Sequence, residues 1–154
     1  MPGRLEFIKE KGGIKYYNDT NATTPDAVLV ALAALKKYKG KIILLGGGAD
    51  KNLDYATYAK AVRQNVKALA LFRGTATDKI LEVLWSRSVL GRSRTDLGQN
   101  KVEVFDNIRE AFAWAKAQAK RGDIILLSPG AASFGVFKNE YDRGDQFNKL
   151  VKRI

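Results

Sequence analysis

The chain has 154 residues, the size of a single domain with one hydrophobic core, and carries a formal net charge of +11. It contains neither histidine nor cysteine, which excludes Ser–His triads, imidazole bases, His-bearing zinc sites, thiolate nucleophiles and disulfides. No apolar run approaches the ~18–20 residues that span a bilayer, and no secretory signal pattern opens the chain, so a cytoplasmic protein without a membrane partner is expected.

The elements alternate between strand-like and helix-like, the pattern of an α/β domain. Leu5–Lys11 and Ile14–Asn18 flank Gly12-Gly13 and predict a β-hairpin, because paired glycines accept the positive φ of a tight primed turn. Thr24-Pro25-Asp26 predicts a helix start, with Thr24 as cap, Pro25 in the first turn and Asp26 facing the positive dipole end. Val28, Ala31, Leu32 and Leu35 follow at helical spacing until Gly40. Lys41–Leu45 reads as a short buried strand, and a helix is expected from Leu53 to about Val66. Val66–Phe72 is the next strand and Thr75–Arg87 the next helix. Ser86–Asn100 is broken by Gly and Ser and reads as a loop. Lys101–Phe105 is a strand, and Asp106 is expected to cap an amphipathic helix that bears Ile108, Ala111, Phe112, Ala115 and Ala119. After Gly122 comes the apolar strand Asp123–Leu127, and a last helix is expected within Asp142–Lys152. The sum is a Rossmann-like, mostly parallel sheet of about six strands with about five helices and an N-terminal hairpin.

Three segments carry candidate chemistry. Gly46-Gly47-Gly48-Ala49-Asp50-Lys51 follows a strand but matches neither G-x-x-x-x-G-K-[ST] nor G-x-G-x-x-G; it either projects Lys51 toward an anion or is a plain strand-to-helix turn. Ala131-Ala132-Ser133-Phe134-Gly135 has the look of a nucleophile elbow, which the absence of histidine rules out. What remains is a small-residue turn, or a hydroxyl and N–H group for a carboxylate. Asn18 to Pro25 is a run of Asx and Thr residues that serves as turn and cap, or as a polar cluster at a helix N-terminus. Tyr16, Tyr17, Arg73, Arg87, Arg92 and Arg94 combine rings and cations as single-strand binders do, but match no RNA-recognition signature, so nucleic acid is not the expected partner. The net charge favours anionic ligands in general, or is a solvated basic surface.

These segments occur in an order that resembles the C-terminal domain of the Mur ligases, most of all the branch that adds D-glutamate to UDP-N-acetylmuramoyl-L-alanine. The resemblance runs from Pro2-Gly3-Arg4-Leu5-Glu6, similar to the end of an interdomain linker, through Asn18–Thr23 and Leu45-Gly46-Gly47 with Lys51, to the stretch Ser128–Phe147. It implies a domain of a larger ATP- and Mg²⁺-dependent ligase of peptidoglycan synthesis. In that reaction a substrate carboxylate becomes an acyl phosphate, which the amine of D-glutamate attacks. By position, Thr23, Lys51, Ser133 and Phe134 resemble residues that hold D-glutamate, while Arg4, Asp19 and Asn21 resemble residues near ATP. Two departures stand out. Asn21 occupies a position where the family has lysine, and Glu140-Tyr141 reverses the aromatic-then-Glu order within F-K-N-x-x-x-R-G.

The resemblance implies that the UDP-binding N-terminal domain and the central ATPase domain, with its phosphate loop and Mg²⁺ ligands, lie outside this sequence. The chain alone is therefore expected to fold, to be monomeric and not to catalyse, and Met1-Pro2-Gly3 is expected near a domain boundary. Two other assignments fit less of the pattern: a domain of a folylpolyglutamate-type ligase, and a stand-alone basic module for nucleic acid or anionic metabolites.

Overall fold

The computed structural model describes residues 1–86 and 101–154. In chain order the elements are β1 (Glu6–Lys11), β2 (Ile14–Asn18), α1 (Pro25–Ala34), β3 (Ile42–Gly46), α2 (Ala56–Asn65), β4 (Val66–Phe72), α3 (Thr75–Leu84), β5 (Lys101–Phe105), α4 (Ile108–Gln118), β6 (Ile124–Leu127) and α5 (Glu140–Lys152). The six strands form one sheet in the order β1-β2-β6-β3-β4-β5. β1 pairs with β2 antiparallel, and every other pairing is parallel. The sequence expectation of an α/β sheet with an N-terminal hairpin therefore holds.

Strand alternation divides the core between the two faces. Ile42 and Leu44 of β3 join Ile124 and Leu126 of β6 in a core closed by Val28, Leu32, Tyr58, Val62 and Ile80 from α1, α2 and α3. Ile43, Leu45, Ile125 and Leu127 point the other way, onto Phe112 of α4 and Phe147 of α5. Because both faces are covered, β3 and β6 are apolar at consecutive positions rather than alternating.

Element ends differ from the sequence expectation where side chains compete for backbone donors. Asn107, not Asp106, caps α4, accepting from the Glu110 N–H at 2.9 Å. The last helix starts two residues early because the Asn139 side chain caps it through the Asp142 N–H at 2.8 Å. α2 starts at Ala56 instead of Leu53 because Asp50 Oδ1 accepts from the Leu53 N–H and Asp54 Oδ1 from the Ala56 N–H. β1 starts at Glu6 because Leu5 sits at φ +43°, outside strand geometry. The expected loop falls mostly on residues 87–100, which lie outside the described residues; α3 stops at Leu84 with Trp85 as its C-cap, short of the expected Thr75–Arg87, whose last residue also lies outside them.

The turn after β3 requires its glycines. Gly47 has φ +80°, and a Cβ on it would lie 2.3 Å from Thr77 Oγ1. Gly48 has φ +138°, and a Cβ there would lie 2.4 Å from the Ala132 carbonyl oxygen. That carbonyl belongs to the chain leaving β6, so the two loops touch only because Gly48 has no side chain. Gly48→Ala should lower the unfolding free energy by about 1–3 kcal/mol, read as a reduced urea midpoint at unchanged slope. An unchanged midpoint would show that the close approach is not needed.

Candidate functional site

The helices following β2 and β3 pack on one face of the sheet, while the chain leaving β6, which lies between those strands, leads to α5 on the other face. Loops that leave neighbouring strands in opposite directions open a crevice at the carboxyl edge, where α/β sheets bind ligands. All three sequence segments singled out above emerge there: residues 19–24 after β2, 47–51 after β3 and 128–134 after β6.

Main-chain hydrogen bonds tie these loops together. The Asp19 N–H donates to the Leu127 carbonyl at 2.7 Å, and the Gly130 N–H to the Ala22 carbonyl at 2.7 Å. On the other side the Gly47 N–H donates to the Pro129 carbonyl at 2.8 Å, and Ala49 and Ala132 exchange bonds of 3.0 and 3.1 Å as an isolated antiparallel bridge. Thr23 is therefore one residue from the first junction, and Ser133 and Lys51 are one and two residues from the second.

Arg143 of α5 reinforces this arrangement from below. Its side chain is fully buried. Nε donates to Thr20 Oγ1 at 3.0 Å, Nη2 to the Thr20 carbonyl at 2.8 Å and Nη1 to the Ala131 carbonyl at 3.1 Å. Asn18, also buried, donates to Gly144 O at 3.3 Å and to Asn148 Oδ1 at 2.9 Å.

Arg4, Asp19 and Asn21 line one groove of about 310 Å³, whose opposite wall is the small apolar face Ala27, Val30 and Ala34 of α1. Val30 is 71% exposed, an unusual setting for a valine and one that leaves a flat apolar wall facing a charged one. Asp19 is only 7% exposed. Its Oδ1 accepts from the Leu5 N–H at 2.9 Å and its Oδ2 from Ser128 Oγ at 2.7 Å. Asp19 thus anchors the incoming segment, so Arg4 lies next to it, with the left-handed Leu5 held in place. Asn21 spends its Nδ2 on the Pro2 carbonyl at 3.3 Å and adds no charge.

The second group is spread over three loops of the same edge: Lys51 after β3, Ser133 and Phe134 after β6, and Thr23 after β2. Lys51 is exposed and makes no ion pair or hydrogen bond among the described residues. Its neighbour Asp50 is committed to Lys79 at 2.9 Å, a pairing that holds its carboxyl below the usual range. The turn therefore presents a cation and hides its carboxylate. Ser133 is buried and Phe134 is 66% exposed, the two lining a closed crevice with Gly47, Gly48 and Arg143. Thr23 is half-buried. The side-chain hydroxyls of Thr23 and Ser133 have no hydrogen-bond partner among the described residues. Among the described residues the edge thus carries an unpaired cation on the β3 loop, an exposed ring on the β6 loop and unpaired hydroxyls on the β2 and β6 loops, groups of the kind that suit a carboxylate-bearing ligand.

Other sequence candidates are absorbed by the fold. Tyr16 is buried against Phe112, so it offers no ring to a base. Tyr17 packs edge-on to Phe7, and Arg73 pairs with Asp106 at 2.6 Å. Arg87, Arg92 and Arg94 lie outside the described residues. Glu140 uses its carbonyl to accept from Thr20 Oγ1 at 2.7 Å, whereas Tyr141 is 68% exposed on the outside of α5. Sequence reasoning assigned no role to Ser128 or Arg143. Both lie in the Ser128–Phe147 stretch that carries the resemblance, where a lone Arg in a helix that turns an apolar face inward is the available signal. No group of three or more His, Cys, Asp or Glu among the described residues is placed to hold a metal, and no helix among them is long and apolar enough to cross a membrane.

Comparison with known proteins identifies the fold and the pattern. Residues 3–130 match the family described as "Mur ligase, glutamate ligase domain". The chain is 42% identical over 151 residues to the UDP-N-acetylmuramoylalanine–D-glutamate ligase of Borreliella afzelii, covering 98% of this chain and 31% of that protein. It is 41% identical over 149 residues to the ligase of the same name from Roseiflexus sp., covering 97% of this chain and 30% of that one. The chain thus spans about a third of the length of these curated relatives. Among solved structures it is similar to MurF ligase from Thermotoga maritima in complex with ADP, with a TM-score of 0.60 and 19% identity over 100% of this chain and 32% of that one. It is also similar to the bifunctional folylpolyglutamate synthase/dihydrofolate synthase from Yersinia pestis, with a TM-score of 0.63 and 16% identity over 98% of this chain and 31% of that one. These two likenesses concern the fold.

The buried carboxylate of Asp19 makes a measurable prediction. Burial raises its pKa above the usual range; the Ser128 hydroxyl, the Leu5 N–H and the charge of Arg4 oppose this without cancelling it. The folded chain therefore binds more protons than the unfolded one between the two pKa values, and stability falls as pH rises through that window. An asparagine would accept from the Leu5 N–H and donate to Ser128 Oγ without the buried charge. Asp19→Asn should match the native chain in acid and become more stable than it as pH rises, measured as urea midpoints from about pH 3 to 8. A difference that is constant or shrinks with pH would contradict the burial argument.

Proposed function

The chain belongs to the Mur ligase glutamate ligase domain family, and from that premise we propose that it is the C-terminal domain of an ATP-dependent ligase joining D-glutamate to UDP-N-acetylmuramoyl-L-alanine. In this reading the domain binds the incoming amino acid and closes over nucleotide held by the rest of the polypeptide. The observation that carries it is the pairing of two sites on one sheet edge. One is a groove with a cation, a buried carboxylate and an amide facing an apolar wall. The other comprises Lys51 and the hydroxyls of Thr23 and Ser133, on the loops of that edge and without partners among the described residues.

The division of labour follows from the chemistry. ATP supplies a phosphoryl group that turns the substrate carboxylate into an acyl phosphate. Around it the reactants are anionic, so the domain's work is to bring cations and exclude water. Arg4 offers its guanidinium to phosphate oxygens, while Asp19, with both oxygens anchored, offers its remaining lone pairs to ribose hydroxyls. Asn21 supplies a neutral donor or acceptor to the same ligand. The α1 wall of Ala27, Val30 and Ala34 suits a flat base. Lys51 pairs with a carboxylate of D-glutamate, Thr23 and Ser133 hydrogen-bond to it, and Phe134 covers its aliphatic portion. Mg²⁺ bound with the nucleotide would neutralise phosphate charge; no acidic cluster among the described residues is placed to hold it, so its protein ligands would come from the rest of the polypeptide. The work is cytoplasmic, with no membrane partner.

The test is kinetic and needs the complete ligase polypeptide. Lys51→Ala should raise the KM for D-glutamate about 10- to 100-fold, the worth of one charge-assisted hydrogen bond, and leave the KM for ATP within about twofold. Equal D-glutamate kinetics in variant and parent would remove Lys51 from the site, and a complete polypeptide that forms no amide bond from these substrates would overturn the assignment.

A further inference from the structure

We propose that Arg143 is a positioning residue, whose guanidinium bridges the β2 and β6 loops so that the nucleotide-facing and amino-acid-facing halves of the site hold one fixed geometry. The inference rests on the ligase reading for what each half binds.

The geometry is specific to a guanidinium. Three donors in one plane reach three acceptors on two loops: Thr20 Oγ1, the Thr20 carbonyl and the Ala131 carbonyl, at 3.0, 2.8 and 3.1 Å. Thr20 lies between Asp19 and Asn21, and Ala131 lies two residues before Ser133, so each bond lands beside a ligand-facing residue. Thr20 Oγ1 is itself oriented by donating to the Glu140 carbonyl at 2.7 Å, in the first turn of the helix that carries Arg143. The helix comes close enough for this because the next residue is glycine: a Cβ on Gly144 would lie 2.7 Å from Thr20 Cγ2.

No carboxylate hydrogen-bonds to the buried cation among the described residues. Burial accordingly pushes the Arg143 pKa down to about 10, which still leaves it charged at neutral pH. Burying such a charge is costly, and an apolar side chain of similar volume stabilises a core at least as well. A residue needed only for packing has no reason to be arginine here, whereas one that fixes three acceptors on two loops does. Lysine cannot substitute fully, since a single ammonium does not reproduce the planar fork.

The test compares Arg143→Lys and Arg143→Met with the parent in the complete polypeptide, measuring KM for ATP and for D-glutamate, active-site-normalised kcat, and amide hydrogen exchange. A positioning role predicts that both KM values rise together, by about tenfold or more in the Met variant and less in the Lys variant. It also predicts faster exchange at residues 19–23 and 130–134 with β3 and β6 unchanged. A residue that only supports folding would lower the active fraction and leave both KM values as they were; that result, a rise in one KM alone, or parent-like exchange in both loops would overturn the proposal. Where the Met variant does not fold, the Lys variant carries the same criteria. A parent polypeptide inactive as a ligase would sink the functional reading alone, and the exchange comparison would still decide whether Arg143 holds the loops.

Discussion

The late insertion of β6 between β2 and β3 is the constraint from which the site follows. The chain lays down β2, β3, β4 and β5 in one direction with α1, α2 and α3 on one face, then returns through α4 on the other to fill the gap it left. Every main-chain group at the mouth of that gap needs a partner. Ala22, Gly130, Ala49 and Ala132 supply one another's, and this binds three loops into one edge. Gly48 and Arg143 are consequences: one removes a side chain from the contact between the β3 and β6 loops, and the other adds donors under the β2 and β6 loops.

The electrostatics of this edge are asymmetric in a way that suits anionic ligands. Its carboxylates are committed, Asp19 to Ser128 and Leu5 and Asp50 to Lys79. Its cations differ: Arg143 is spent on the scaffold, while Lys51 extends into solvent. The net charge of +11 is spread well beyond this edge, so the local arrangement carries more of the functional argument than the total. The buried charge of Asp19 lowers stability with rising pH, the kind of cost that binding sites impose on the fold that holds them.

The layout of elements was legible in the sequence because its signals are local. Gly12-Gly13 forms the predicted turn with φ of +62° and +78°, Thr24 caps α1 through the Ala27 N–H, and the apolar runs of β3 and β6 are the buried centre of the sheet. Strand order was less legible, since nothing in Ile124–Leu127 says that it inserts between β2 and β3. The boundaries that moved did so where side chains compete for backbone donors, as Asp106 and Asn107 do at α4 and Asp50 and Asp54 do before α2, or where Leu5 leaves strand geometry. The family pattern named Arg4, Asp19, Asn21, Thr23, Lys51, Ser133 and Phe134, and the fold sets all seven along one edge. The pattern could not reveal that both Asp19 oxygens have partners within the domain, or that Arg143 reaches Thr20, more than a hundred positions away. Those facts arise from pairings between distant segments, which only the folded chain brings together.

If this edge is one half of a site shared by a nucleotide and an acidic amino acid, both ligands sit on the loops that follow β2, β3 and β6. The most direct measurement is a crystal structure of the complete polypeptide with ADP and D-glutamate bound. The ribose is expected within hydrogen-bond distance of Asp19, the base against Val30, and an amino-acid carboxylate within hydrogen-bond distance of Lys51 Nζ and Ser133 Oγ. Either ligand seated away from the loops that follow β2, β3 and β6 would contradict the shared site.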